Sequence, residues 1–436
     1  MKRRIILIAL IIFGFCIIVY SANHRVVGAG DCWALRYVPI SLLRDGNLDL
    51  NEYEGVRFQV IDTAPRGEHY RVFAGPVLSG ILATPVYFIA RAVGIPITPF
   101  SIAYLGKLSS TIYCALSAVF LFLLLLRLLP VKYCVILSLI YAFGTCTWAV
   151  SSQSLWRHGL SQCLVMIALY CLLKALEKPA FAGYSGFFLS LATVNRYMDA
   201  PIALILFIYV IHRYRGQAVR FIVCSLPAAV FFMGYNWFYF GSPLTFGTGE
   251  SLGLFTASLI SGLPAILFSP NRGLFVFSPI LLFSVVGSVL AWRIHHPARV
   301  LYRYIIVAVI LFVLLVAKWH MWWGGHSYGY RLLVDITPLL MVLMAPSILW
   351  MRRSNLLRSL FVITAAASVL VQLSGAFYYL DYWNSKLKID RYPERVWLVR
   401  SGQFHFMLKK AAQRGWKIQR TVFMPPKHRK DPDRYL

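Results

Sequence analysis

Apolar runs of about twenty residues recur along this 436-residue chain from its first residues to about position 380. A helix needs about 20 apolar residues to cross the hydrocarbon core of a bilayer. Eleven stretches are candidate spans, at roughly 4–22, 103–127, 133–150, 160–176, 181–194, 200–212, 219–240, 274–292, 303–318, 332–350 and 357–379. The pattern predicts an all-α polytopic membrane protein with a transmembrane domain over residues 1–380 and a tail over 381–436.

The apolar stretch 73–93, "FAGPVLSGILATPVYFIARAV", contains two glycines and two prolines, one of them Pro85. Because glycine and proline weaken a helix interior, this composition favours a re-entrant or interfacial helix within a first outer loop, residues 23–102. The topology then has eleven crossings, with the N-terminus in the cytoplasm and the C-terminus outside. If the stretch crosses the membrane, the count becomes twelve and every later loop changes side.

The first segment, "MKRRIILIALIIFGFCIIVYSA", has a basic start and an apolar continuation. A cleaved signal peptide has the same order. The apolar part is long for a signal peptide, and many candidate spans follow it. We therefore expect an uncleaved first span.

Composition and charge agree with a membrane location. Hydrophobic residues make up 59% of the chain, and the mean hydropathy is +0.66. A net charge of +27 is also typical of nucleic-acid binding, but here the cations cluster in loops between spans. They are better explained by the positive-inside rule and by anionic lipid, so we expect membrane lipids and no nucleic acid as partners.

Cysteine usage and known motifs point to no metal site. Most of the eight cysteines fall in or beside apolar segments, and none forms a CxxC pair. This pattern favours packing roles over a disulfide framework or a metal site. The chain also lacks HExxH and Walker-type motifs.

Under the eleven-span topology, the polar loops all fall on the outer face. They are the segment from Gly30-Asp31 to residue 72, "SSQSLWRHG" (151–159), "NRYMDAP" (195–201), "SPNRG" (269–273) and "KWHMWWGGHSYGYR" (318–331). The basic clusters fall on the opposite face. We therefore expect the chemistry to lie on the outer face.

Asp31 is one of only sixteen acidic residues and comes soon after the first span. An aspartate in such a place is often a solvated loop residue or a helix cap. The residues that follow, "WALRYVPISLLRDG", fit an amphipathic helix lying in the membrane interface. Such a helix would hold Asp31 at the mouth of a helical bundle, where a carboxylate can serve as general base for a sugar hydroxyl.

Cations near the outer helix ends are candidates for binding a phosphate group, which a guanidinium binds through two parallel hydrogen bonds. They are Lys107, Arg157 with its neighbour His158, Arg272 and Arg331. Ordinary explanations compete with this one. Lys107 can snorkel to the interface, and Arg331 can pair with Asp335, one helical turn away.

Four further residues are candidates for binding substrate: Arg196, Trp323, His326 and Tyr328. Arg196 can instead pair with Asp199 at a helix break. An aromatic belt explains the tryptophans, but it does not explain the glycines beside His326. Glycine lets a backbone approach a ligand closely.

Several segments together resemble a known group of proteins. They are Gly-Asp after the first span, "SLLRDGNLDL", "GPVLSGILATPVYF", "SQSLWRHG", "SPNRGLFVFSP", "WWGGHSYGYRLLVDITP" and "RYPERVWLVRSGQF". The chain resembles bacterial integral-membrane glycosyltransferases of the GT-C superfamily, which are akin to the protein O-mannosyltransferases and the lipid A aminoarabinose transferases. Over most of its length it is most similar to uncharacterised bacterial members.

That resemblance implies a GT-C fold with about 11–12 transmembrane helices in the bacterial inner membrane. It also implies a sugar donor linked to polyprenyl phosphate, such as undecaprenyl phosphate, and an envelope lipid, glycan or protein as acceptor on the periplasmic face. The first-loop catalytic aspartate of the family corresponds to Asp31. Many relatives carry Asp-Glu there, whereas this chain has Asp31-Cys32. The second carboxylate that would help to hold a divalent metal is therefore missing. The resemblance thus establishes no cofactor, and whether a divalent metal is needed stays open.

The mechanism expected from the resemblance is an inverting, in-line transfer with Asp31 as base. Lys107, Arg157, Arg272 and Arg331 would offset charge on the departing phosphate. The main alternative is a non-enzymatic flippase or transporter of lipid-linked glycans, for which internal repeats and mid-membrane charges would be typical. An O-antigen type polymerase or ligase would need a larger outer loop.

Overall fold

The computed structural model describes residues 2–56, 59–245, 252–293 and 295–418, so tail residues 419–436 lie outside the described part. This part is mostly helical and contains almost no sheet, which confirms the all-α fold class. The α-helices are α1 (Lys2–Ser21), α2 (Val38–Arg44), α3 (Leu78–Ala92), α4 (Pro99–Leu125), α5 (Val131–Gly144), α6 (Arg157–Lys174), α7 (Ala180–Asn195), α8 (Ala200–Arg213), α9 (Ala218–Phe240), α10 (Leu259–Phe268), α11 (Leu274–Phe277), α12 (Leu282–Ala291), α13 (Arg299–Lys318), α14 (Thr337–Met351), α15 (Asn355–Tyr378), α16 (Tyr382–Leu387) and α17 (Gln403–Gln413).

Six of the described helical segments are long and apolar enough to cross a membrane. They are Lys2–Ser21, Pro99–Leu125, Arg215–Phe240, Arg299–Lys318, Arg331–Met351 and Asn355–Tyr378. Other apolar helices are shorter: α5 has 14 residues, or about 21 Å at 1.5 Å per residue. The structure thus has the character of a polytopic membrane protein, while the number of crossings and the side of each loop stay predictions.

Two of the predicted spans are interrupted. The stretch 274–292 is divided into α11, a 3₁₀ turn at Pro279–Leu281 and α12. Proline at position 279 cannot donate the backbone hydrogen bond that a continuous helix would need. The stretch 133–150 ends as an α-helix at Gly144 and continues through a π-helical turn, Thr147–Ser151.

The first loop contains the only sheet of the described residues, an antiparallel hairpin of β1 (Val60–Thr63) and β2 (Tyr70–Phe73) in which Val60 pairs with Phe73. Helix α3 follows it and packs against α2. Helix α3 keeps Pro85 in its interior, and its Phe88 and Ile89 side chains are exposed. A short helix with an exposed apolar side suits the interfacial or re-entrant placement that the sequence favours.

Helix α14 lies at the centre of the bundle, because nearly all of its side chains are buried. Helices α1 and α9 lie at the periphery, and exposed apolar residues such as Leu10, Ile18 and Val230 cover their outer sides. An apolar exterior of this kind suits contact with lipid rather than water.

Hydrogen bonds connect the five polar loops to one another at one end of the helices. Val27 donates to the Gln153 carbonyl oxygen, which joins the first loop to the loop before α6. Arg331 bonds to Asp31, and Arg272 bonds to the Trp323 carbonyl oxygen. The loops were expected to share a face, and they also pack together, with residues 151–156 fully buried among them.

Candidate functional site

Asp31 lies in a 3₁₀ turn, Gly30–Cys32, between α1 and α2. A second 3₁₀ turn, Ala34–Arg36, leads into the seven-residue helix α2. The prediction of one continuous amphipathic helix over this segment is therefore wrong. The segment breaks into short turns before Pro39, and residues 32–41 are buried within the protein.

The Asp31 side chain forms an ion pair with Arg331. Nη1 of Arg331 donates to Oδ2 of Asp31 at 2.8 Å, and about one third of the Asp31 side chain stays exposed. Asp31 does not cap a helix, since no side-chain cap is formed at either 3₁₀ turn. Arg331 begins the 3₁₀ segment Arg331–Ile336 that leads into α14, and its guanidinium lies 4.8 Å from the Trp156 ring centre.

The two nearest arginines set the ionisation of Asp31. Partial burial opposes ionisation, but the guanidinium groups of Arg331 and Arg157 more than offset it and hold the pKa of the Asp31 carboxyl below its ordinary value. Asp31 is therefore a carboxylate at neutral pH. It can accept a hydrogen bond from a substrate hydroxyl without first losing a proton.

Arg157 begins α6 beside the hairpin strand β2. Its guanidinium lies 5.9 Å from the Phe73 ring centre. A Cβ atom placed on Gly75 would lie 2.9 Å from Nη1 of Arg157. Because Gly75 has no side chain, the Arg157 guanidinium can occupy this space.

A buried charged cluster of His158, Arg196 and Asp335 lies next to these residues and connects three segments of the chain. Nε of Arg196 lies 3.0 Å from Oδ2 of Asp335, and Nδ1 of His158 lies 2.9 Å from Oδ1 of Asp335. An ionised carboxylate only accepts hydrogen bonds, so Nδ1 of His158 donates to Asp335. Nε2 then accepts from Nη1 of Arg196, 3.0 Å away.

This cluster replaces two pairings expected from sequence spacing. Arg331 pairs with Asp31 rather than with Asp335, and Arg196 pairs with Asp335 rather than with Asp199. Asp199 lies buried beside them, and burial together with the Asp335 charge raises its pKa well above the ordinary value. Local spacing does not predict the central place of Asp335, although its position four residues after Arg331 indicates that it belongs to the same region.

Lys107 is buried and its ammonium group is used inside the protein. Nζ donates to Oδ1 of Asn23 at 2.5 Å, to the Arg25 carbonyl oxygen at 2.6 Å and to Oε1 of Gln153 at 3.2 Å. These bonds tie the segment before Asp31 to the loop before α6. The geometry favours a positioning role, and a phosphate contact by Lys107 stays a prediction.

Arg272 is also fully engaged within the protein. Nε donates to the Trp323 carbonyl oxygen at 2.6 Å, and Nη2 donates to the Gly325 carbonyl oxygen at 3.0 Å. Nη2 also donates to Oδ1 of Asn384 at 2.8 Å. Arg272 thereby fastens the loop before α14 to the tail, and a phosphate contact by it likewise stays a prediction.

The three substrate-binding candidates of the loop before α14 contact the tail or α15 instead of Asp31. Nδ1 of His326 lies 2.9 Å from Oδ1 of Asp381, and Nε1 of Trp323 donates to Oδ1 of Asp390 at 2.9 Å. The Tyr328 hydroxyl donates to the Val371 carbonyl oxygen at 2.7 Å within α15. Of the residues selected from the sequence, the structure therefore brings Asp31, Arg157, His158, Arg196 and Arg331 together.

The residues around Asp31 do not fit a divalent metal. The charged groups that face the Asp31 carboxylate most closely are the guanidinium groups of Arg331 and Arg157, whereas a hard cation needs several oxygen ligands. Within the described ranges, no group of three His, Cys, Asp or Glu side chains is placed to hold a metal ion.

Comparison with known proteins gives a similarity to a solved structure. No protein-family model and no curated protein matches the chain. Among solved structures, the chain is similar to the oligosaccharyltransferase of Archaeoglobus fulgidus, which was crystallised with a tethered acceptor peptide containing the NVT sequon. The sequences are 10% identical, and the similarity covers 97% of this chain and 60% of that one, with a TM-score of 0.45. The chain thus spans less than two thirds of the length of that enzyme.

Proposed function

We propose that this protein is a glycosyltransferase of the GT-C class. In this proposal it moves a sugar from a polyprenyl-phosphate donor to an envelope acceptor on the outer face of the bacterial inner membrane. The observation that carries the proposal is the partly exposed Asp31 carboxylate, which pairs with Arg331 and is also stabilised by the Arg157 charge, at the end of the bundle where the polar loops meet. A general base beside two phosphate-binding cations is what transfer from a sugar phosphate needs.

In the proposed reaction, the acceptor oxygen or nitrogen attacks the anomeric carbon opposite the phosphate. Asp31 accepts the proton that the acceptor loses. The bond between the anomeric carbon and the phosphate oxygen breaks, and polyprenyl phosphate leaves with the electron pair. Inversion at the anomeric carbon follows from this in-line geometry.

Arg331 has two roles in this scheme. Before the sugar donor binds, Arg331 neutralises Asp31 through the 2.8 Å ion pair. When the phosphate arrives, its charge competes for the same guanidinium, and Arg157 offers a second one. Release from Arg331 raises the pKa of Asp31, so the carboxylate becomes a stronger base when the substrate is present.

The buried cluster below the site fixes Arg196 and His158. Asp335 orients both side chains, and together they offset its charge inside the protein. We assign Asp335 as a positioning residue, because it contacts His158 and Arg196 rather than the space next to Asp31.

The test compares cells with and without the protein. Mass spectrometry of envelope glycolipids, glycans and proteins should show one class of molecules that loses a sugar mass when the gene is deleted. Complementation with Asp31→Asn at normal protein levels should reduce the modification by about 10²–10⁴-fold, the range for loss of a general base.

Asp62→Asn is the matched control, since Asp62 lies in the same loop and its side chain is 82% exposed. It should restore the modification in full. Full activity of Asp31→Asn would remove Asp31 as base. Redistribution of an unchanged lipid-linked glycan between leaflets, without any loss of sugar mass, would identify a flippase instead.

A further inference from the structure

The described part of the tail folds back onto the end of α15. The Leu380 amide donates to Sδ of Met407 in α17 at 3.3 Å, and the Tyr378 ring lies 5.9 Å from the Trp416 ring. Helix α15 has 24 residues, so it is about 36 Å long and exceeds the roughly 30 Å hydrocarbon core. Its last turn, and the tail packed on it, therefore lie at the level of the lipid headgroups if α15 crosses the membrane.

A cationic groove opens between α16 and α17. It is a cavity of about 290 Å³ whose wall includes Lys386, Arg400, Lys409 and Lys410 together with His405. Among the residues that the structure describes, no aspartate or glutamate lines it. Four fixed positive charges within one cavity of this size repel one another, and a bound anion would relieve that repulsion.

These cations have no ionic partner among the described residues. None of them forms an ion pair with a described carboxylate. Nζ of Lys410 donates to Oε1 of Gln413 at 3.1 Å, and Nζ of Lys386 lies 5.6 Å from the Phe406 ring centre. Two tail carboxylates, Asp381 and Asp390, are engaged by His326 instead.

Exposed apolar side chains lie directly beside the groove. Trp397, Leu398 and Val399 precede Arg400 in the chain, and their exposed fractions are 45%, 45% and 71%. Such a patch is unfavourable in water. Aromatic and aliphatic side chains next to lysine and arginine are typical of segments that dip into the boundary between headgroups and acyl chains.

We propose that this groove binds the phosphate-bearing headgroup of an anionic membrane lipid, with Trp397, Leu398 and Val399 inserted beside it. The lipid would hold the tail against the membrane and against the loop before α14. This site is separate from Asp31 and does not depend on the proposed transfer reaction.

The test uses the purified full-length protein in detergent, titrated with phosphatidylglycerol or phosphatidylcholine and followed by native mass spectrometry. We expect one phosphatidylglycerol to be retained in preference to phosphatidylcholine. Each cation near an anionic lipid surface strengthens binding roughly fivefold. The triple variant Lys386→Gln, Arg400→Gln and Lys409→Gln should therefore weaken phosphatidylglycerol binding by roughly 100-fold.

A matched control removes three exposed cations elsewhere, by Arg44→Gln, Lys178→Gln and Arg391→Gln, and should leave this binding within about twofold of wild type. A second variant, Val399→Glu, places a negative charge at the apolar patch and should also weaken retention. Equal loss in the groove and control triples would overturn the proposal. So would complete displacement of the lipid by inorganic phosphate or glycerol phosphate, which would make the groove a site for a soluble anion.

Discussion

At the scale of single residues, the ion pair with Arg331 lowers the pKa of Asp31, whereas a role as general base favours a higher pKa. A carboxylate that must take a proton works best with a pKa near the operating pH, yet Arg331 and Arg157 hold the Asp31 pKa low in the free protein. In the proposed reaction, the phosphate of the donor would compete for the Arg331 guanidinium. The pKa of Asp31 would then rise only when the donor is bound.

This exchange predicts two different acid limbs in the pH dependence of transfer. The acid limb of kcat/KM reports Asp31 in the free enzyme, and that of kcat reports it in the substrate complex. We expect the kcat limb at the higher pH, because bound phosphate weakens the hold of Arg331. In Arg331→Gln the two limbs should approach each other. Coinciding limbs in the wild type would contradict the exchange.

The buried carboxylates Asp335 and Asp199 should respond differently to the same change. Asp335→Asn leaves the buried Arg196 without its counter-charge, which should cost about 3 kcal/mol of unfolding free energy. Asp199 has a raised pKa and favours its neutral form, which asparagine imitates, so Asp199→Asn should cost under about 1 kcal/mol. Denaturant unfolding in mixed micelles measures both. Equal costs would show that Asp335 does not carry the Arg196 charge.

The sequence predicts which residues belong to the candidate site better than it predicts which residues form ion pairs with each other. Asp31, Arg157, His158, Arg196 and Arg331 were all selected, and they do meet. Their pairing was expected from neighbours three or four positions away, such as Asp335 for Arg331. In the folded chain, groups from distant loops compete for the same cation, and that competition is invisible to local spacing.

At the scale of elements, the first loop, which carries Asp31, is positioned by its close approach to the loop before α6. A Cβ atom on Gly28 would lie 2.8 Å from Oγ of Ser154 and 3.2 Å from Nη2 of Arg36. Nη2 of Arg36 in turn donates to Oγ of Ser154 at 2.6 Å. Together with Lys107, this contact seats the first loop on the loop before α6.

Gly28→Ala should therefore destabilise the protein by about 1–3 kcal/mol, the usual cost of overpacking. It should also lower transfer activity, because Asp31 follows three residues later. The control is Gly234→Ala in α9, where a new Cβ atom meets nothing within 4 Å. That variant should gain up to about 1 kcal/mol from helix propensity. Unfolding midpoints at equal protein concentration compare the two, and an unchanged Gly28→Ala midpoint would contradict the close approach.

Hydrophobic periodicity predicted the type of nearly every long element but not its interruptions. The helices near 103–127 and 303–318 were expected and are present as α4 and α13. The break at Pro279 and the turns before α2 were not. They depend on proline geometry and on burial of the first loop, and an apolar count along the chain contains no information about burial.

At the scale of the whole molecule, the tail is fastened by a histidine between two carboxylates. Nδ1 of His326 lies 2.9 Å from Oδ1 of Asp381, and Nε2 lies 3.1 Å from Oδ2 of Asp390. Hydrogen bonding to Asp381, aided by both carboxylate charges, raises the pKa of His326 despite its partial burial. Below that raised pKa the imidazolium therefore holds the tail to the loop before α14.

The sign of the pH dependence follows from that raised pKa. The stabilisation is fully present below the ordinary histidine value of about 6.5 and is lost as the pH rises through the raised folded-state value. Hydrogen exchange of tail amides should therefore accelerate with rising pH beyond the intrinsic rate increase. His326→Gln should remove this extra step. If hydrogen exchange of the wild-type tail amides showed no such extra acceleration as the pH rises through the His326 pKa, the role of His326 would be contradicted.

The ion pair between Asp31 and Arg331 joins residues 300 positions apart. At 5–20 residues per second, a ribosome needs roughly 15–60 s to travel between them. During that interval the first loop, with Asp31, has already been synthesised, but Arg331, whose guanidinium pairs with Asp31, has not. The proposed site can therefore assemble only after Arg331 has been synthesised, and we expect a chain that ends before Arg331 to lack the proposed transfer activity.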